Sequence, residues 1–152
     1  MLHIKLDKVE KMQVAYIELT GPYENWGRGL MELKALLDES KIEIVGPPIG
    51  LYYNNPLQTQ PEKLRSEACL PVSGNVTAMW TFKVKELSAT EVATTLHEGP
   101  PELYTDTYSA LFEWIIANGY EYYGPAPEIF QEASANLRPG EGLVIQQPTK
   151  KE

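Results

Sequence analysis

The chain has 152 residues and 17.1 kDa, a length for one domain, and its 43% hydrophobic and 22% charged residues fit a folded globular protein rather than a disordered or fibrous one. Its 21 acidic and 13 basic residues give a formal net charge of -8, which repels a polyanion and argues against direct DNA or RNA binding. A lone cysteine, Cys69, excludes an internal disulfide framework, and two distant histidines, His3 and His97, offer no zinc-type spacing.

The opening MLHIKLDKVEK holds no apolar stretch long enough for a signal peptide or membrane span, so the chain reads as cytoplasmic. Leu2 to Val9 and Gln13 to Leu19 read as strands, the second running into Gly21-Pro22. Leu30, Leu33 and Leu37 then recur at helical spacing. The turn Gly46-Pro47-Pro48 leads to a short strand, Ile49 to Asn54, and a polar loop, Asn54 to Lys63. Arg65 to Val72 is a further strand, as is Trp80 to Glu86, where Trp80, Phe82 and Val84 alternate with Thr81, Lys83 and Lys85. Val92 to His97 is a strand ending near Gly99-Pro100. Tyr104, Tyr108, Leu111, Phe112 and Ile115 mark a second helix, stopped by Asn118-Gly119. Pro at the start of each helix fixes a helical φ where a backbone donor would go unused. Gly124-Pro125, the strand Glu128 to Gln131, the loop Ala133 to Gly142 and the strand Leu143 to Gln147 complete the chain.

Sliding the sequence against itself gives an ungapped match at an offset of 78 residues. Identities include Val14 with Val92, Gly21 with Gly99, Pro22 with Pro100, Leu33 with Leu111, Gly46 with Gly124 and Pro47 with Pro125. Because the matches fall mainly at turns and periodic apolar sites, the chain reads as one domain, residues 1-152, built from two repeats (about 1-75 and 76-152). The expected fold is α+β: duplicated βαββ units forming one curved antiparallel sheet, two main helices on one face, and a ligand cleft between the repeats.

The repeats disagree informatively after the second Gly-Pro, where Gly50 and Tyr52 of the first copy correspond to Glu128 and Phe130 of the second. Alternation places Leu51 and Ile129 against the helices and Gly50, Tyr52, Glu128 and Phe130 on the other face. A carboxylate among aromatic rings, opposite a residue with no side chain, suits a flat cation through stacking, cation-π contact and charge pairing. The same position also fits a solvated rim acid. Other candidates have plainer readings: Arg65 and Glu67 as a surface pair, His97 as a capping or surface histidine, Cys69 as a buried inert thiol, and Leu111, Phe112 and Trp114 as core.

The stretch LHEGPPELYTDTYSALFEWIIANGYEYYGPAPEIF, preceded by GPPIGLYYNNP and LRSEACLPV, resembles the GyrI-like small-molecule-binding domain, also the effector-binding module of AraC- and MerR-type bacterial regulators. No helix-turn-helix pattern is legible, so the resemblance is to a stand-alone member. It implies a cleft for amphipathic aromatic or cationic compounds, with Glu128 as the ligand-facing acid and walls from Tyr52, Tyr104, Tyr108, Phe130, Trp80 and Trp26. Phe130 stands where a Tyr is commoner in the family, which removes a hydroxyl donor. The implied function is multidrug-type sensing or sequestration. The alternatives are hydrolysis of reactive cyclopropanoid compounds, with Glu128 as the catalytic carboxyl and Glu113 as a lesser second player, and inhibition of DNA gyrase. No cofactor, metal, nucleic-acid or membrane partner is expected.

Overall fold

The computed structural model describes residues 3–98, 101–130 and 142–152. Gly99-Pro100, Gln131, the first two residues and nearly all of the loop expected from Ala133 to Gly142 lie outside them. Among the described residues nine strands form one curled antiparallel sheet: β1 (Lys5–Val9), β2 (Met12–Thr20), β3 (Ile49–Tyr52), β4 (Arg65–Pro71), β5 (Lys83–Leu87), β6 (Thr90–His97), β7 (Tyr120–Tyr122), β8 (Glu128–Phe130) and β9 (Leu143–Lys151). Their order is β1-β6-β9-β8-β3-β4-β2-β5, with β7 added beside β9. Two helices, α1 (Trp26–Glu39) and α2 (Tyr104–Ala117), have the same length, and α2 has the bounds of α1 displaced by the 78-residue offset. The 3-10 turns ahead of them, Tyr23–Asn25 and Pro101–Leu103, obey the same displacement. The first half runs β1-β2-α1-β3-β4 and the second β5-β6-α2-β7-β8-β9, with β7 extra, and the halves pair at β1–β6, β2–β5 and β3–β8.

The local causes are those the sequence supplies. Pro22, at φ -54°, precedes the turn into α1. Leu30, Leu33 and Leu37 bury one stripe of that helix against the sheet. Helix α2 ends as Gly119 takes φ +81°, a left-handed conformation that favours glycine, and its N–H donates to Ile116 O at 3.1 Å. Strand β7, absent from the sequence reading, is too short for alternation to reveal. It pairs Tyr120 with Lys151 and Tyr122 with Thr149, which gives the end of β9 a partner and carries that strand past Gln147.

The faces of the sheet differ from expectation. Trp26, Leu30, Leu33 and Leu37 of α1 pack with Ala68, Phe130 and Leu143, and Leu111 and Ile115 of α2 pack with Ile145. In the register Gly50 lies opposite both Ala68 and Glu128, and Glu128 lies opposite Ile145. The helices thus cover the face of Gly50, Tyr52, Glu128 and Phe130. Leu51 and Ile129 sit on the opposite face with Val14, Ile49 and Cys69, a cluster to which no helix contributes. Alternation sorted the residues correctly, but both sets bury apolar side chains, so period alone does not say which one meets the helices.

The expected strand from Trp80 begins instead at Lys83. Phe82 is buried, whereas Trp80 projects from the preceding turn at 95% exposure.

Candidate functional site

Glu128 is 4% exposed although it carries a carboxyl group. A buried acid must find donors, and α2 supplies two. Tyr104 and Tyr108 stand one helical turn apart, so their hydroxyls reach the same point on the sheet. Tyr104 donates to Glu128 Oε1, and Tyr108 donates to Oε2 at 2.6 Å. Burial drives the Glu128 pKa up from its ordinary 4.5 to about 7, against the pull of the two hydroxyls, which favour the ionised form. Burial, followed by the charge of Glu128, holds both tyrosines well above their ordinary range, so they remain donors.

The walls are aromatic on both sides of the carboxyl. Trp26 stacks on Phe130 with ring centroids 4.6 Å apart and leans toward Tyr52 at 6.4 Å, while Tyr23 meets Tyr52 edge-on at 4.9 Å. On the α2 side Tyr104 lies between Tyr108, at 5.6 Å, and His97, at 4.9 Å and nearly parallel. Glu128, Tyr52, Tyr104, Tyr108, Phe130, Gly50 and Trp26 are therefore brought into one neighbourhood, and Trp80 is not. Tyrosines 104 and 108 supply the hydroxyls that Phe130 lacks.

Two residues at this site escaped the sequence reading. His97 is fully buried, not a surface or capping residue, and its Nδ1 lies 2.7 Å from Thr107 Oγ1. The signal was available: at the 78-residue offset His97 corresponds to Leu19, which packs against the core. Tyr23 corresponds to Pro101, and that pair carried no such hint.

The space expected above Gly50 is not open. A Cβ placed there would lie 2.7 Å from both Cε2 and Oη of Tyr52, so the tyrosine ring occupies the room that the glycine leaves. Two open hollows lie elsewhere, one of about 360 Å³ beside Val45, Pro47 and Ile129 and one of about 70 Å³ beside Glu18, Arg65 and Glu67. Neither includes Glu128.

The other acid weighed from sequence, Glu67, pairs differently from the expected neighbour contact. Its carboxylate accepts from Lys85 and from the Tyr53 hydroxyl at 2.9 Å, while Arg65 lies over the Tyr53 ring. Lys85 in turn sits over Tyr16, 4.3 Å from the ring centre. Replacing Lys85 by Met is expected to lower stability by about 1–2 kcal/mol at pH 7, because a largely buried carboxylate loses its counter-charge. Urea denaturation of the variant measures this, and a loss below about 0.5 kcal/mol would mean the pair contributes no more than an exposed one. Cys69 is buried as expected, its thiol pushed up to about 12 by desolvation. Glu113 is exposed on α2. Among the described residues no group of His, Cys, Asp and Glu is arranged to hold a metal ion, and no helix is long and apolar enough to cross a membrane.

Residues 3–144 match the family described as GyrI-like small molecule binding domain. No curated protein matches the sequence. Among solved structures, EcmrR in a DNA complex superposes with TM-score 0.83 at 15% identity, covering 99% of this chain and 58% of that one, so this chain spans little more than half of it. The EcmrR C-terminal domain alone gives TM-score 0.77 at 16% identity, covering 100% and 99%. A hydrolase encoded by lin2189 from Listeria innocua gives 0.75 at 11% identity, covering 97% and 91%. SAV2435 bound to tetraphenylphosphonium gives 0.62 at 13% identity, covering 97% and 94%. At these identities the superpositions establish the fold.

Proposed function

Since this chain belongs to the GyrI-like small-molecule-binding family, we propose that it binds amphipathic aromatic cations at the junction of its two halves, with Glu128 as counter-ion. The observation that carries this reading is the carboxyl itself, buried between two tyrosine hydroxyls and flanked by stacked rings. Structural pairing alone would leave such a group beside a fixed cation, as Lys85 stands beside Glu67. Among the described residues Glu128 accepts its hydrogen bonds from the Tyr104 and Tyr108 hydroxyls, and the charge it can develop is matched by a positive ligand. The bound tetraphenylphosphonium of SAV2435 supports the same ligand chemistry on a like fold. Sensing or sequestration in the cytoplasm is the role that this chemistry fits.

Calorimetric titration with tetraphenylphosphonium is the test. We expect micromolar binding and a loss of tenfold or more in Glu128→Gln, about 1.4 kcal/mol. An unchanged affinity in the variant would remove the carboxyl from the reading.

A second reading rests on the same carboxyl. A group titrating near neutrality beside hydroxyl donors can exchange a proton with a reacting centre or with water, as acid-base hydrolysis requires. Turnover of an electrophilic cyclopropanoid that vanishes in Glu128→Gln would favour it over binding alone, and product formed only at the buffer rate would rule it out.

A further inference from the structure

Tyr52 carries an anomaly that the packing does not explain. Among the described residues its hydroxyl is the one buried side-chain polar atom with no hydrogen-bond partner. Such a group keeps its desolvation cost and receives nothing in return, and native interiors rarely retain one without a reason. The ring reaches its position because residue 50 is glycine, and it is held there by Tyr23 edge-on and Trp26 on the flank. Gly50 pairs directly with Glu128, and the Tyr52 hydroxyl makes no hydrogen bond to that carboxyl. The two nearer tyrosines already donate one to each carboxyl oxygen.

We propose that Tyr52 is a specificity-determining residue, and that the ligand of this site is an aromatic cation that also presents a neutral hydrogen-bond acceptor, such as a carbonyl oxygen, to the Tyr52 hydroxyl. The proposal rests on the functional reading above and narrows it. Burial and the neighbouring carboxyl hold the Tyr52 hydroxyl well above its ordinary range, so it stays a donor across the working pH range. A ligand able to accept from it regains a full hydrogen bond at a group already stripped of water. A ligand offering only hydrocarbon leaves the cost in place.

The test uses the full chain and two cations of nearly equal shape, (4-acetylphenyl)triphenylphosphonium and (4-isopropylphenyl)triphenylphosphonium, titrated by calorimetry into the wild type and Tyr52→Phe. The wild type is expected to prefer the acetyl compound by about tenfold, and Tyr52→Phe to bring the ratio close to one. In parallel, Tyr52→Phe without ligand is expected to shift the urea midpoint upward, since it deletes the orphaned hydroxyl and keeps the ring. Equal affinities in the wild type, or a preference that survives in Tyr52→Phe, would overturn the inference while leaving Glu128's role intact. Failure of both cations to bind the wild type would overturn the functional reading and this inference with it. A lowered urea midpoint in Tyr52→Phe overturns the inference whatever the titrations give, because the hydroxyl would then have a stabilising partner.

Discussion

Binding of tetraphenylphosphonium is expected to tighten by up to about 100-fold between pH 5 and pH 8, because only ionised Glu128 can serve as its counter-ion. The ligand's charge is permanent, so the dependence belongs to the protein. With the pKa near 7, roughly one Glu128 in a hundred is ionised at pH 5 and most are at pH 8. Stability runs the opposite way. The folded pKa lies above the ordinary 4.5, so between the two values the folded chain binds more protons than the unfolded one. The associated stability is fully present below about pH 4.5 and is lost as the pH rises through about 7, an effect on the order of 3 kcal/mol. Calorimetry and urea denaturation across this range should give opposite slopes in the wild type, and both should flatten in Glu128→Gln. A wild-type affinity independent of pH would show that the cation is held by the rings alone.

Replacing Trp26 by Ala is expected to cost about 3–5 kcal/mol of folding stability, a large share of the 5–15 kcal/mol usual for a domain. Trp26 opens α1 and is 2% exposed. Its indole N–H donates to Glu67 O at 3.0 Å, its ring stacks on Phe130, and it flanks Tyr52. The truncation would leave a cavity, remove the indole's hydrogen bond to the Glu67 carbonyl and leave a tyrosine without its support. Trp26→Phe separates these effects: it keeps an aromatic ring, loses the N–H and should cost about 1–2 kcal/mol. Urea unfolding at pH 7 measures both. If the alanine variant loses less than about 1 kcal/mol, the indole does not dock α1 onto the sheet.

Much of the frame was legible because turns and periodic leucines punctuate both halves at one offset, and that offset recurs in the bounds of α1 and α2. Glu128 was legible as a disagreement between the halves. Trp26 corresponds to Tyr104, Leu30 to Tyr108 and Leu19 to His97, so these three residues of the α2 side stand where the α1 side has apolar or aromatic ones. What alternation could not supply was direction, since Leu51 and Glu128 occupy opposite faces that are both covered. Trp80 failed for another reason: alternation with Phe82 presumes a strand, and the strand had not yet begun. Nor could a glycine opposite a carboxylate reveal that the ring two residues further along would fill the gap.

The β3–β8 joint has a mechanical consequence. These strands are in register only at Ile49–Ile129 and Gly50–Glu128, whereas β2 and β4 run together from Val14–Pro71 to Thr20–Arg65. The sheet thus resembles two slabs riveted at a narrow strip, and Glu128 is on the rivet. Few backbone bonds cross that strip, yet Phe130 and Leu143 of one slab are buried in the same cluster as Trp26, Leu30 and Ala68 of the other, so side-chain packing rather than the ladder joins the slabs there.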